Sequence, residues 1–248
     1  MKQYHLGFIS DEKIFNHVKK TVLAYRFSID LKAFNENLID PIKLTFDSKI
    51  YQRHIDDVIE SEVIRQLDKS NTNHIGYFHQ NIFKHIKNKS WKVPDFGYDI
   101  INQEESIYVE IKNKHNTMNS SSAQKTYIKM QSTVLNNSKA VCMLVEVIAK
   151  NSQNICWVSS VDGNKVVHEN IRRVSIDKFY EIATGDSLAF KKLCSKLPTI
   201  IDDVVANVIL EKESNSVLKE LKVMDKNTLK SLYLLSFKKY EGFNEFSF

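Results

Sequence analysis

Glycine and proline are scarce in this sequence, six and three among 248 residues. Sandwiches and barrels spend those residues on frequent tight turns, so an all-β architecture is not expected. Cysteine is equally sparse. Cys142, Cys156 and Cys194 stand far apart, odd in number and without CxxC or Cys/His spacing, which argues against a disulfide framework and a zinc site. All three are expected as buried small apolar residues. No segment approaches the roughly 18 uninterrupted apolar residues of a membrane span, and the opening MKQYHLGFISDEKIF has no apolar h-region for a signal peptide. A cytoplasmic protein with no membrane partner is expected. Internal repeats, low-complexity tracts and linker-like runs are absent as well.

What is there is ordinary globular material, 42% hydrophobic and 26% charged, in a length that admits one large domain or two small ones. A formal charge of +5 and a pI of 8.9 suit a polyanionic partner without demanding one. The distribution of charge is more telling. Asp95 to Glu110 carries five acids and no base, whereas Ile111 to Lys139 carries five lysines and no acid. An acidic stretch is followed directly by a basic strip.

Ser10 before DEK, with apolar Ile14, Val18 and Leu23, reads as a capped helix. KIYQRHIDDVIESEVIRQL repeats apolar residues at Ile55, Ile59, Val63 and Leu67, a second amphipathic helix. The polar DKSNTN at 68–73 reads as a break, and HIGYFHQNIFKHI as a third helix packing Phe78, Ile82 and Ile86. Strand signals begin after Pro94: YDII and SIYVEIKN flank polar NQEE, a hairpin. SSAQKTYIKMQSTVL then has helical spacing and a serine cap, and KAVCMLVEVIA and NICWVSSV read as buried strands. SIDKFYEIATG, SLAFKKLCSKL, TIIDDVVANVILEKE and KNTLKSLYLLSFKKY read as helices. The expectation is one α/β domain: a helical part over 1–90, a mixed-sheet core over 91–170 and a helical part over 171–248.

On a strand, Glu110 and Lys112 share one face while Val109 and Ile111 share the other. A hairpin turning at Glu104 and Glu105 sets Asp99 across from Glu110. Two carboxylates and an ammonium then converge, a face that disfavours folding unless something positive sits between the acids. Magnesium answers that repulsion, since it takes oxygen ligands, keeps several waters and uses one or two carboxylates with substrate phosphate. The lysine then either activates a metal-bound water or neutralises charge developing on the phosphate. An isolated D…ExK pattern is also what a solvated strand face looks like. The strip that follows, with Lys112, Asn113, Lys114, Asn116, Asn119, Ser120 to Ser122 and Gln124, supplies donors suited to phosphates and base edges. His74, His79 and His85 show no metal-binding spacing and read as structural or surface residues.

Pro94–Asp95, Gly97–Tyr98–Asp99 and Glu110–Ile111–Lys112 resemble the PD-(D/E)xK nuclease signature. RQLDKS, IGYFHQNIF, EIKNKHNTMNSSSAQKTY and VSIDKFYEIATGD resemble type II restriction endonucleases of the subfamily that cuts GGNCC, over about Tyr51 to Pro198. The resemblance implies a restriction-endonuclease-like fold, Mg²⁺-dependent hydrolysis of double-stranded DNA at a short palindrome, a homodimer and no nucleotide cofactor. It implies Asp99, Glu110 and Ile111 as the metal set and Lys112 as the catalytic lysine. The familiar spelling points to Asp95 as the first acid and the strand context to Asp99; Asp99 is taken, with Asp95 behind it or in its place.

Glu62, on the helix before the sheet, is the candidate for an added acid and equally a solvent-facing helix glutamate. Gln124 resembles a residue positioning substrate or water and equally an exposed helix residue. Candidate DNA contacts are Asn113, Lys114, His115, Asn116, Thr117, Asn119, Ser121 and Lys125, with Arg172 and Arg173 open between DNA contact and surface ion pair. Two alternatives share these residues: a repair or junction-resolving nuclease that reads DNA structure, and a DNA-binding regulator whose acidic hairpin is only structural.

Overall fold

The alternating run at 107–112 does form a strand. In the computed structural model of the chain, which describes residues 2–115, 117–210, 214–241 and 243, two compact units gather: Met1–Leu23 with Ile75–Val208, and Ala24–His74 with Ile209–Phe248. In chain order the elements open with α1 (Asp11–Ala24), β1 (Ser28–Ile29), α2 (Leu31–Asn35), α3 (Pro41–Ile50) and α4 (Ile55–Asn81). β2 (Trp91–Lys92), β3 (Ile100–Asn102), β4 (Ile107–Lys114), α5 (Ser120–Asn136) and β5 (Val141–Ile148) follow. Then come β6 (Asn154–Cys156), β7 (Ser159–Val161), β8 (Asn164–Val166), β9 (Ile171–Ser175), α6 (Ile176–Thr184) and α7 (Ala189–Val205). β10 (Ser214–Asn215), α8 (Val217–Met224) and α9 (Thr228–Phe237) come last. The architecture is α/β, as expected.

The first unit is built on a six-stranded sheet in the order β2-β3-β4-β5-β9-β6. β4, β5 and β9 run parallel, while β2, β3 and β6 pair antiparallel at the two edges. Each face of the sheet is covered. Val109, Ile111, Met143, Val145 and Val174 pack with Ile14 and Val18 of α1, Phe179 and Tyr180 of α6 and Leu193 and Ile200 of α7. The other face sets Cys142, Leu144 and Ile171 against Tyr127, Met130 and Val134, one stripe of α5 at helical spacing. The second unit is helical. It buries Phe34, Leu44, Ile59 and Val63 with Val217, Leu221 and Leu232, and β1 and β10 add a short parallel pair.

Several expectations are corrected. DKSNTN is no break: α4 runs without interruption through it. Polar residues interrupt a helix only when glycine or proline, or a competing side-chain bond, makes them, and here Asn71 accepts from Arg26 N at 2.9 Å and donates to Arg26 O at 3.2 Å. α5 is capped by Asn119, whose side chain accepts from Ser122 N, instead of by a serine. The segments on either side of Pro198 form one helix, α7, because Leu193, Ile200 and Val204 are all buried on its inner stripe; the packing outweighs the hydrogen bond that proline removes. Residues 206–210 lie outside that helix, and 211–213 fall outside the described residues. NICWVSSV is not one buried strand. β6 is an edge strand with Ile155 exposed, and β7 pairs with β8 in a separate ribbon. Ile171–Ser175, inside the segment read as helical, is a strand of the main sheet. Of the three cysteines Cys142 is buried, Cys156 half-buried and Cys194 exposed. Among the described residues no helix is long and apolar enough to cross a membrane.

Phe179 anchors the covered face, with its ring 4.8 Å from Phe83 and 5.3 Å from Trp91. Phe179→Ala is expected to destabilise the protein by about 3–5 kcal/mol. Urea denaturation checks this, and a loss below about 1 kcal/mol would show that the site collapses around the missing ring.

Candidate active site

β3 and β4 pair with Ile100 opposite Val109 and Asn102 opposite Ile107, so the next pair along is Asp99 and Glu110. Gln103 to Ser106 make the turn. Val109 and Ile111 are buried on one face, and Glu110 and Lys112 lie half-buried on the other, the face that α5 covers. Asp99 is fixed from two sides: its Oδ2 accepts from Ile111 N at 2.7 Å, and its main-chain oxygen accepts from Gln80 of α4 at 3.2 Å. Asp95, by contrast, sits exposed four residues upstream. The hairpin brings Asp99, Glu110 and Lys112 together.

The electrostatics follow from burial. Burial pushes the Asp99 carboxyl above the usual carboxylate range, the Ile111 hydrogen bond opposes this, and the Glu110 charge adds to the rise. Glu110 is better compensated. Lys112 Nζ stands 3.5 Å from Oε1 and Lys129 Nζ 2.8 Å from Oε2.

Lys129 was not singled out from the sequence. It lies on α5, donates also to Gly97 O at 2.7 Å, and stands over the Tyr98 ring at 4.1 Å. Its one sequence signal is the helical spacing from Lys125. Glu146 was missed too. It pairs in register with Lys112 across β4 and β5, is 1% exposed, and carries Arg173 on Oε1 and His115 Nδ1 on Oε2 at 3.0 Å. Arg173 donates in addition to His115 O at 3.1 Å. An acid alone in the apolar run KAVCMLVEVIA was the available signal, since a buried charge must be paired.

The remaining candidates are dispersed. Arg172, on the opposite face from Arg173, donates to Asn154 side chain and main chain and to Glu169 O. Gln124 donates to Asp162 at 2.6 Å. Asn113 lies beside Gly76, Thr117 Oγ1 donates to Lys114 O, and Asn119 is the α5 cap. Lys114, Thr117, Ser121 and Lys125 are exposed, while Asn116 lies outside the described residues. Glu62 belongs to the other unit, where Arg65 donates to both of its oxygens and Gln66 to one. Among the described residues no three His, Cys, Asp or Glu side chains gather as a metal site; His79 is held neutral by burial, with its pKa lowered to about 4.

The model of the Eco47II restriction endonuclease family matches residues 6–206. The chain belongs to that family. It is 31% identical over 226 residues to the type II restriction enzyme Sau96I of Staphylococcus aureus, covering 87% of each protein. It is 30% identical over 214 residues to the type II restriction enzyme Eco47II of Escherichia coli, covering 81% of this chain and 88% of that enzyme. As a member of this family the chain is a type II restriction endonuclease, a hydrolase whose partner is double-stranded DNA. The regulator and the repair nuclease are thereby set aside.

Because the folded protein holds a proton on Asp99 more tightly than the unfolded chain does, ionised Asp99 costs stability at neutral pH. Asp99→Asn keeps an acceptor for Ile111 N and removes that cost. Its stability at pH 7 is expected to exceed the parent's by about 1 kcal/mol, with the gap narrowing as pH falls through the raised Asp99 pKa towards the ordinary one. Urea melts across that range test it; a variant less stable than the parent at neutral pH would contradict the strain assigned to this pair.

Proposed function

We propose that the chain is a Mg²⁺-dependent restriction endonuclease of the PD-(D/E)xK kind, with Asp99, Glu110 and Lys112 at its catalytic centre. The observation that carries this reading is the facing of Asp99 and Glu110 at the open end of the β3–β4 pair, with Lys112 on the same side. The donor set fits the metal: two carboxylates and the main-chain carbonyl at Ile111 offer only oxygen, and the burial of Asp99 and the neighbouring Glu110 charge, which both raise its pKa, are what a hard cation offsets. When bound there, magnesium would lower the pKa of a water and polarise the scissile phosphate. The chain's own part is to hold that charge in place. The Ile111 N–H and Gln80 fix Asp99, the strand fixes Glu110, and Lys112 stands where its ammonium offsets charge gathering on the phosphate during in-line attack. Asp95 is the substitute first acid in this scheme, and Glu62 and Gln124 are further candidates.

DNA contact is assigned to the strip after the hairpin, Asn113, Lys114, His115, Thr117, Asn119, Ser121 and Lys125, with Arg172 and Arg173 as further candidates. Asp99→Asn, Glu110→Gln and Lys112→Ala are each expected to slow cleavage of unmodified plasmid on the order of a hundredfold or more, with the circular-dichroism spectrum unchanged. Normal cleavage by Glu110→Gln would remove the site; normal cleavage by Asp99→Asn beside a dead Asp95→Ala would pass the first-acid role to Asp95.

The recognition sequence proposed is GGNCC, cut by a homodimer. A palindrome presents one half-site twice about a two-fold axis, and a C₂ dimer meets it with the same readers on each side. Sequencing the ends of fragments from mixed-sequence DNA is expected to return one GGNCC-like motif, and light scattering on cognate DNA is expected to return two chains per duplex. Ends without a common motif reject the specificity, and a single chain per duplex rejects the symmetry.

A further inference from the structure

Lys129 is the side chain for which the catalytic scheme has no use, yet it occupies the centre of the site. Its ammonium lies 2.8 Å from Glu110 Oε2 and 2.7 Å from Gly97 O, over the face of Tyr98. Gly97 stands two residues before Asp99, so one lysine bridges the segment that carries the first acid and the strand that carries the second. Glu110 Oε1 has the more distant Lys112 at 3.5 Å. The oxygen that Lys129 holds is therefore the one most firmly occupied in the cation-free protein.

A hard divalent cation binds a carboxylate oxygen at about 2.0–2.6 Å, so an ammonium kept on that same oxygen would lie within a few ångströms of the ion. Like charges that close repel strongly in a half-buried site. Lys129 is nonetheless well suited to leave. Its side chain is 37% exposed, and a lysine carries its charge on a flexible stem with rotatable donors. Resting on the proposed assignment of Asp99 and Glu110 as the cation site, we infer that Lys129 is a further active-site residue that occupies Glu110 Oε2 while the site is empty and passes to a DNA phosphate when a divalent cation takes that oxygen. Cation loading without DNA then strands an ammonium beside the metal. Loading with DNA gives the ammonium a partner, so the duplex favours its own cofactor. This differs from a structural strut between Gly97 and Glu110, whose loss would loosen the carboxylates and weaken the cation.

Calcium, titrated calorimetrically into the full-length protein without DNA, separates the two. Lys129→Gln keeps a donor for Gly97 O and removes the charge. It is expected to bind Ca²⁺ about tenfold more tightly than the parent. With DNA present, its salt dependence of binding, log K against log salt, is expected to be shallower by about 0.9, the share of one phosphate contact. Calcium affinity equal to or weaker than the parent's, or an unchanged salt slope, overturns the inference. Glu110→Gln keeps the underlying reading separate. If that variant binds Ca²⁺ like the parent, the cation sits elsewhere and reading and inference fall together; if it loses Ca²⁺ while Lys129→Gln matches the parent, the inference alone fails. The parent protein gives an independent measure should Lys129→Gln not fold: reductive methylation of Lys129, followed by mass spectrometry, is expected to speed up with Ca²⁺ and slow down again when DNA is added. A rate indifferent to Ca²⁺ would overturn it.

Discussion

The structure of the site depends on one unfavourable pairing, two carboxylates facing each other across the open end of a hairpin. Asp99 and Glu110 repel, and like charges opposite one another in a strand pair work against folding. What keeps them there is the apolar face behind. Val109 and Ile111 are both buried, so a slip of one residue would turn them to the polar side and drive Glu110 and Lys112 into the core. The turn adds to the fixing: Asn102 Oδ1 accepts from Glu105 N, and Ser106 takes a positive φ of 54°. The core thus holds two acids side by side, with Lys112 and Lys129 on Glu110 offsetting their charge, and the proposed chemistry uses that pair of carboxylates.

The same sheet order determines what surrounds the acids. Because β4 and β5 are parallel, the chain must cross from the end of one to the start of the other, and α5 is the crossover. Tyr127, Met130 and Val134 bury its inner stripe on the sheet, and Lys129, next to Met130, is thereby delivered to Glu110. Parallel pairing also sets Glu146 beside Lys112 and Ser175 beside Glu146. Glu146 is a buried carboxylate with both oxygens paired, so removing Arg173 would leave an uncompensated charge in the interior and removing His115 would leave Oε2 without its partner. His115 is held by its ring and by its main chain, which fixes where the segment into α5 begins.

Much of this was legible in the sequence, and the limits are physical. Strict alternation from Ile107 to Lys112 allowed one strand reading, and the acid pair followed from the turn length. The apolar spacing of Phe78, Ile82 and Ile86 put all three in the core, where they are. Polar composition misled at DKSNTN, because a solvated helix face and a loop have the same residues when glycine and proline are absent. Proline misled at 198, where local cost lost to burial on both sides. The β7–β8 ribbon carried a signal that went unread: Asp162–Gly163, both at positive φ, is a favoured two-residue hairpin turn. IRRVS gave no alternating pattern, since Arg172 and Arg173 occupy both faces of β9 and each finds its partner inside the chain. Lys129 and Glu146 illustrate the harder limit. They reach the site from 19 and 36 residues beyond Glu110 in number, and only the folded sheet shows the distance to be one hydrogen bond and one strand.

The arrangement also sorts the basic strip into two layers. Of its five lysines, Lys112 and Lys129 face Glu110, whereas Lys114, Lys125 and Lys139 are exposed. Exposed charges act through the screened field of the whole surface, which raises encounter rates with a polyanion and weakens as salt rises. The two inner lysines are screened less and act over the few ångströms around one carboxylate. Arg173, which by residue type alone would rank as the best reader of guanine, is held on buried Glu146 and on His115 O. Using it on a base would expose Glu146 as an unpaired buried charge, a cost that a single bidentate base contact, about 1–3 kcal/mol, does not cover. The exposed lysines of the outer layer, Lys114, Lys125 and Lys139, carry no such internal commitment and can meet a polyanion without leaving a buried charge unpaired.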